Sequence, residues 1–129
     1  MEPSEGKLIL VADDDSDVRE LVVFRLVHAG YEVITAADGE EAASLALERR
    51  PDLCLLDVMM PKLDGFEVTR RVRSSPEIAD TPILLLTASV HESAVERGIR
   101  AGADDHIAKP FSSRELLDRC AAALGFPGS

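Results

Sequence analysis

Three aspartates stand together at Asp13-Asp14-Asp15, a fourth lies at Asp57, and Thr87 and Lys109 follow further on. Each group comes at or just after the end of a short apolar run. Carboxylates that converge repel one another. Two charges roughly 4 Å apart cost about 4 kcal/mol at an effective dielectric of about 20. A fold keeps such a cluster where a cation offsets it. Donors that are few and all oxygen suit Mg²⁺, which keeps several waters and bridges to phosphate. No thiol and histidine group has zinc spacing. A carboxylate is a competent nucleophile toward phosphorus and gives an acyl phosphate. Phosphoryl transfer asks mainly for positioning and for charge neutralisation around the equatorial oxygens. Asp57 is then the expected acceptor, Asp13 and Asp14 the metal holders, Lys109 the charge clamp and Thr87 a hydroxyl sensor.

That chemistry requires the fold to bring distant residues together. The runs KLILVA (7–12), YEVIT (31–35), LCLLD (53–57), PILLLT (82–87) and the short stretch 105–108 read as strands. Helical spacing fills the gaps. Val18, Leu21, Val22 and Leu26 precede the stop at Ala29-Gly30. Asp38 with Glu41 and Asp64 with Glu67 have the spacing of capping boxes. Ser89 with Glu92 and Ser112 with Glu115 repeat it, and Asp15 is the expected cap of the first helix. Pro51 ends the second helix, and the fourth closes at Ala101-Gly102.

Five strands alternating with five helices imply right-handed crossovers and an α/β, doubly wound, five-stranded parallel sheet covered on both faces. The order 2-1-3-4-5 is taken from the small menu of such sheets, since order is not visible in sequence. In these sheets ligands bind beyond the carboxyl ends of the strands, where strand order reverses. Strand one ends in the aspartates, strand three in Asp57, strand four in Thr87 and strand five in Lys109-Pro110. Strand two ends in Ala36-Ala37, with nothing reactive. Each residue alone is an ordinary cap or loop residue. Four of them at four strand ends are hard to explain as caps.

The 129 residues fit one domain over 7–124, with tails at 1–6 and 125–129. A hydrophobic share of 46% is enough for a core, and 29% charged residues keep the surface solvated. With 14 basic against 24 acidic residues, the formal net charge is −10, which argues against direct binding of nucleic acid. No apolar run reaches the roughly 20 residues of a membrane span. The acidic start over Met1–Lys7 does not read as a secretory signal. Cys54 and Cys120 read as buried reduced thiols, and a cytoplasmic protein is expected.

The segments LILVADDDSDVRE (8–20), LCLLDVMMPKLDGFEV (53–68), PILLLTA (82–88) and AGADDHIAKPF (101–111) together resemble the receiver domain of bacterial response regulators. The resemblance covers about Lys7 to Leu124. It implies a flavodoxin-like (βα)5 fold and phosphotransfer from the phosphohistidine of a sensor histidine kinase or phosphotransfer protein. It also implies Mg²⁺ held by Asp14, Asp57 and the backbone carbonyl of Met59, with Asp13 acting through water or directly. Met59 and Ser89 lie where the family tunes phosphoryl lifetime. His106 is a departure, because the family usually has a Tyr or Phe there that swings inward with the switch Thr. A histidine is smaller, polar and titratable near neutral pH.

The expected role is a binary switch and not an enzyme, with chemistry limited to self-phosphotransfer and autodephosphorylation. Phosphorylated Asp57 would draw in Thr87 and Lys109 and bias the fourth helix (about 90–101). Its partners would be the kinase, a downstream effector protein or domain, and a second copy meeting it through the fourth helix, fifth strand and fifth helix. Neither nucleic acid nor membrane is an expected direct partner. The chain would be a stand-alone regulator or a receiver cut from a longer protein. A phosphohydrolase would need an acid two residues past the nucleophile, where Met59 stands. A flavin module would not carry three aspartates in its phosphate loop. A receiver that has lost turnover would not keep all five signature residues.

Overall fold

The computed structural model describes residues 6–88 and 92–126. Its elements alternate: β1 (Leu8–Ala12), α1 (Ser16–His28), β2 (Glu32–Ala36), α2 (Gly39–Arg49), β3 (Leu53–Asp57), α3 (Gly65–Arg73), β4 (Ile83–Thr87), α4 (Glu92–Ala101), β5 (Asp105–Ala108) and α5 (Ser113–Ala123). The five strands form one sheet in the order β2-β1-β3-β4-β5. Every pairing is parallel. This is the doubly wound sheet expected from the alternation, and the switch in strand order lies between β1 and β3.

The strands are apolar throughout because both faces are covered. Leu10, Ala12, Cys54, Leu56, Ile83 and Leu85 face a layer that includes Ala42 and Ala46 of α2 and Val68 and Val72 of α3. The intervening residues Ile9, Val11, Leu53, Leu55, Leu84 and Leu86 face Val22 and Leu26 of α1 and Leu116 and Cys120 of α5. The period-two alternation of a strand thus divides one apolar run between two cores. Both cysteines are free and buried, and burial pushes each thiol up to about 12.

The helix starts follow the expected caps. Asp15 accepts from the amides of Asp17 and Val18. Asp64 and Glu67 form a reciprocal capping box, and Ser112 accepts from Glu115. At α2 the box is only half made. Asp38 accepts from the Glu41 amide at 2.9 Å, but the Glu41 carboxylate reaches past the cap to the Ala37 amide at 2.9 Å. The expected cap at Ser89 lies outside the described residues. Leu21 departs from the helical stripe: it is half exposed while Val22 and Leu26 are buried. A helix with apolar residues around most of its circumference cannot bury all of them against one sheet.

Arg73 locks the far end of the sheet. Its guanidinium donates to the carbonyls of Gly102, Ala79 and Thr81 and to Asp104 Oδ2. That carboxylate oxygen also accepts from the Ile83 amide. The ends of α3 and α4 and the start of β4 are thereby joined, away from the strand ends that hold the reactive side chains. Among the described residues, no helix is long and apolar enough to cross a membrane.

Candidate functional site

Strand register delivers the site. Ala12 pairs with Leu56, so the next residues, Asp13 and Asp57, leave adjacent strands side by side. Asp57 pairs with Leu86, which sets Thr87 one step further along β4 and level with Ala108 of β5. The Lys109 amide then donates to the Thr87 carbonyl at 2.8 Å. The Lys109–Pro110 peptide bond is cis.

Asp13 and Asp57 are buried, and Asp14 is exposed. Each of the three offers a carboxylate oxygen within 4.8 Å of the others, an arrangement able to hold a metal ion. Lys109 Nζ reaches into the cluster, 2.9 Å from Asp13 Oδ2 and 3.2 Å from Asp57 Oδ1. The other Asp13 oxygen accepts from the Asp15 amide at 3.0 Å. An isolated lysine–aspartate pair pulls its carboxylate pKa down. Asp57 goes the other way. Burial raises its carboxyl, the neighbouring Asp13 charge adds to the rise, and the Lys109 ammonium offsets only part of it, leaving Asp57 at about 6. Burial works to lower the Lys109 ammonium, but its bonds and charges with Asp13 and Asp57 outweigh this and hold it above the ordinary lysine value.

The electrostatics therefore leave room for a second cation. The donors are hard carboxylate oxygens, two of them buried, and such a set fits Mg²⁺. Met59, two residues past Asp57, is largely exposed.

Of the residues expected from sequence, the structure brings Asp13, Asp14, Asp57 and Lys109 into one cluster. Thr87 is buried at the end of β4. His106 is not part of the Asp13–Asp14–Asp57 cluster and pairs in register with Leu85. Its side chain is about one-third exposed and its Nδ1 lies 3.8 Å from Asp105 Oδ1. His106 and Thr87 both line a cavity of about 190 Å³ under α4, together with Phe66, Leu85, Val95 and Gly98.

Three residues escaped the sequence reading. Arg19, at the close of the first turn of α1, donates through Nη1 to the Asp13 carbonyl at 2.6 Å. Gly65 packs directly behind Asp57: a Cβ there would lie 2.6 Å from the Asp57 carbonyl oxygen. Gly39 opens α2 beneath the loop that follows Asp57, and a Cβ there would collide with the Leu63 carbonyl. Its amide donates to Pro61. Lys62 in the same loop takes a left-handed φ of 71° and pairs with Asp38 at 3.5 Å. Arg19 lies four residues after the Asp15 cap, a spacing that returns a side chain to the strand end. The two glycines gave no signal, since a close approach between segments distant in sequence is a tertiary fact.

Comparison with known proteins agrees with this geometry. The family model of the response regulator receiver domain matches residues 9–121. The phosphate regulon transcriptional regulatory protein PhoB of Pseudomonas aeruginosa is 43% identical over 119 residues, covering 92% of this chain and 52% of that protein. The chain spans about half the length of the curated relatives it matches. Among solved structures, the chemotaxis response regulator CheY4 of Vibrio cholerae superposes with a TM-score of 0.87 at 38% identity, covering 91% of this chain and 98% of that one. The receiver domain of sensor histidine kinase PA1611 from Pseudomonas aeruginosa superposes with a TM-score of 0.87 at 33% identity, covering 93% and 98%. That structure has a magnesium ion coordinated in its active site cleft.

Proposed function

This chain belongs to the response regulator receiver domain family of two-component signalling, and from that premise we propose that Asp57 is its phosphoacceptor and that Asp13, Asp14, Thr87 and Lys109 complete the site. The observation that carries this reading is the ammonium of Lys109 shared between Asp13 and Asp57 at the switch in strand order.

A carboxylate oxygen of Asp57 attacks the phosphorus of a donor phosphohistidine. The P–N bond breaks, the electron pair leaves on the imidazole nitrogen, and an acyl phosphate forms. The chain's own groups do the positioning. Gly65 packs against the backbone of Asp57 and leaves no slack behind it. Lys109 already lies against Asp57 and would face an oxygen of the transferred group. Thr87, on the neighbouring strand, would supply a hydroxyl donor to another. Asp14, Asp57 and the carbonyl of Met59 would hold Mg²⁺, with Asp13 acting directly or through water. When bound, Mg²⁺ supplies charge neutralisation at the phosphoryl oxygens.

The donor would be a sensor histidine kinase or phosphotransfer protein. Recruitment of Thr87 and Lys109 to the phosphoryl group would shift α4 and change the face made of α4, β5 and α5, which would meet an effector or a second copy of the chain. His106, lining the cavity under α4, would take part in that shift.

The test is intact-mass spectrometry after incubation with acetyl phosphate and Mg²⁺, with Asp57→Ala alongside. One phosphoryl group, labile to hydroxylamine and missing from the variant, is the expected result. A phosphoryl group retained by folded Asp57→Ala would overturn the assignment.

A further inference from the structure

The peptide unit that joins Asp13 to Asp14 is gripped at its oxygen by Arg19. Nη1 of the half-buried Arg19 donates to the Asp13 carbonyl at 2.6 Å. The Asp13 amide is held separately, donating to Ala36 of β2 at 3.2 Å. At this point the chain leaves the sheet, and the Asp13 carbonyl has passed the last ladder pairing of β1 with β3. A buried carbonyl needs a donor, and α1 supplies one by folding back over the strand end. Arg19 is itself anchored, because its amide donates to the Asp15 carbonyl at 3.0 Å in the first turn of α1.

Fixing that carbonyl fixes the plane of the Asp13–Asp14 peptide. Two carboxylates on either side of one peptide unit are aimed by its orientation, one into the buried cluster and one toward its exposed rim. We propose that Arg19 is a positioning residue for the cation site, holding Asp13 and Asp14 in the arrangement that receives a divalent ion. This rests on the reading of the carboxylate cluster as a Mg²⁺ site.

Charge and position make opposite predictions. Arg19 is a cation near three carboxylates. If it acted through charge alone, its removal would tighten binding of a second cation. If it acts by orienting the peptide, its removal loosens binding, as loss of a partner behind a metal ligand does.

The experiment is isothermal titration of the full chain with MgCl₂, comparing wild type, Arg19→Met and Arg19→Lys, with a melting curve for each. Arg19→Met keeps the aliphatic stem and loses every donor; Arg19→Lys keeps charge and one reaching donor. The expected result is a Mg²⁺ Kd raised at least about tenfold in Arg19→Met and largely restored in Arg19→Lys. The Mg²⁺ concentration giving half-maximal phosphorylation by acetyl phosphate should rise by the same factor, while the rate at saturating Mg²⁺ stays near wild type. An unchanged or lower Kd in folded Arg19→Met overturns the proposal, as does a lowered maximal rate at an unchanged Mg²⁺ requirement. Wild type that binds no Mg²⁺ overturns the metal-site reading itself, and this inference with it. If Arg19→Met melts below the working temperature, Arg19→Gln, too short to reach the carbonyl and uncharged, decides: a Kd raised at least about tenfold supports the proposal and an unchanged or lower Kd overturns it.

Discussion

Asp13 lies closer than Asp57 to the ammonium they share, at 2.9 Å against 3.2 Å. Lys109 is thus divided between two carboxylates, and burial together with the Asp13 charge outweighs its pull on Asp57, which stands at about 6 although it touches a cation. Removing that ammonium strips the offsetting charge from both carboxylates. Lys109→Met should slow phosphorylation by acetyl phosphate roughly a hundredfold, the scale of losing one donor to a developing charge. A time course followed by intact mass checks this, and a rate within threefold of wild type would remove Lys109 from the site.

The raised carboxyl of Asp57 has a signature in pH. An acid whose folded-state pKa exceeds its ordinary value keeps its proton longer in the folded protein. From the ordinary value of 3.8 up to about 6, the folded state holds more protons than the unfolded state, so this group's contribution to stability falls as pH rises and is level above that window. Asp57→Asn removes the effect. In metal-free buffer the melting temperature of Asp57→Asn minus that of wild type should grow by about 2–6 °C between pH 4 and pH 7. A difference independent of pH would show that Asp57 titrates as an ordinary carboxylate.

Mg²⁺ should raise the melting temperature of wild type, because the ion binds the folded cluster and not the dispersed aspartates. At one hundred times its Kd the gain is about 2.7 kcal/mol. Repulsion alone suggests that truncating Asp13 would stabilise the metal-free protein. The structure points the other way, since both Asp13 carboxylate oxygens accept hydrogen bonds, from the Asp15 amide and from Lys109. Asp13→Ala should lower metal-free stability by about 1–3 kcal/mol in urea denaturation and abolish the Mg²⁺ effect. A gain in stability would mean that repulsion outweighs those bonds.

His106 lies outside the Asp13–Asp14–Asp57 cluster and lines the cavity under α4. His106→Tyr should leave acetyl phosphate phosphorylation within about twofold of wild type, the range of a substitution remote from the reacting groups. It should alter how α4 responds, read as the change in amide exchange of 92–101 on adding beryllofluoride and Mg²⁺. Loss of phosphorylation itself would place His106 in the reacting site.

Much of this was legible in the residues. β3 and β5 begin and end at the expected residues, and the Asp64–Glu67 box forms as spaced. Convergence of Asp13, Asp14, Asp57 and Lys109 followed once five strand ends were set in one order. Side-chain reach was not legible. Glu41 bonds Ala37 in place of Asp38, and Leu21 turns outward from a stripe that looked continuous. Arg19 and Arg73 both act on carbonyl groups, and a carbonyl carries no identity in a sequence. Such bonds are decided by the fold and not by the local pattern.

β2 ends without a reactive group, yet the contact just beyond it governs the loop that carries Met59. Gly39 lies flush against the Leu63 carbonyl, with no room for one further carbon. The chemistry proposed for Asp57 would therefore depend on a position that contributes no atom to it. In a random mutagenesis screen for lost signalling, Gly39 should score beside the aspartates, and an intragenic suppressor should arise in the loop 58–64 and not in the cluster.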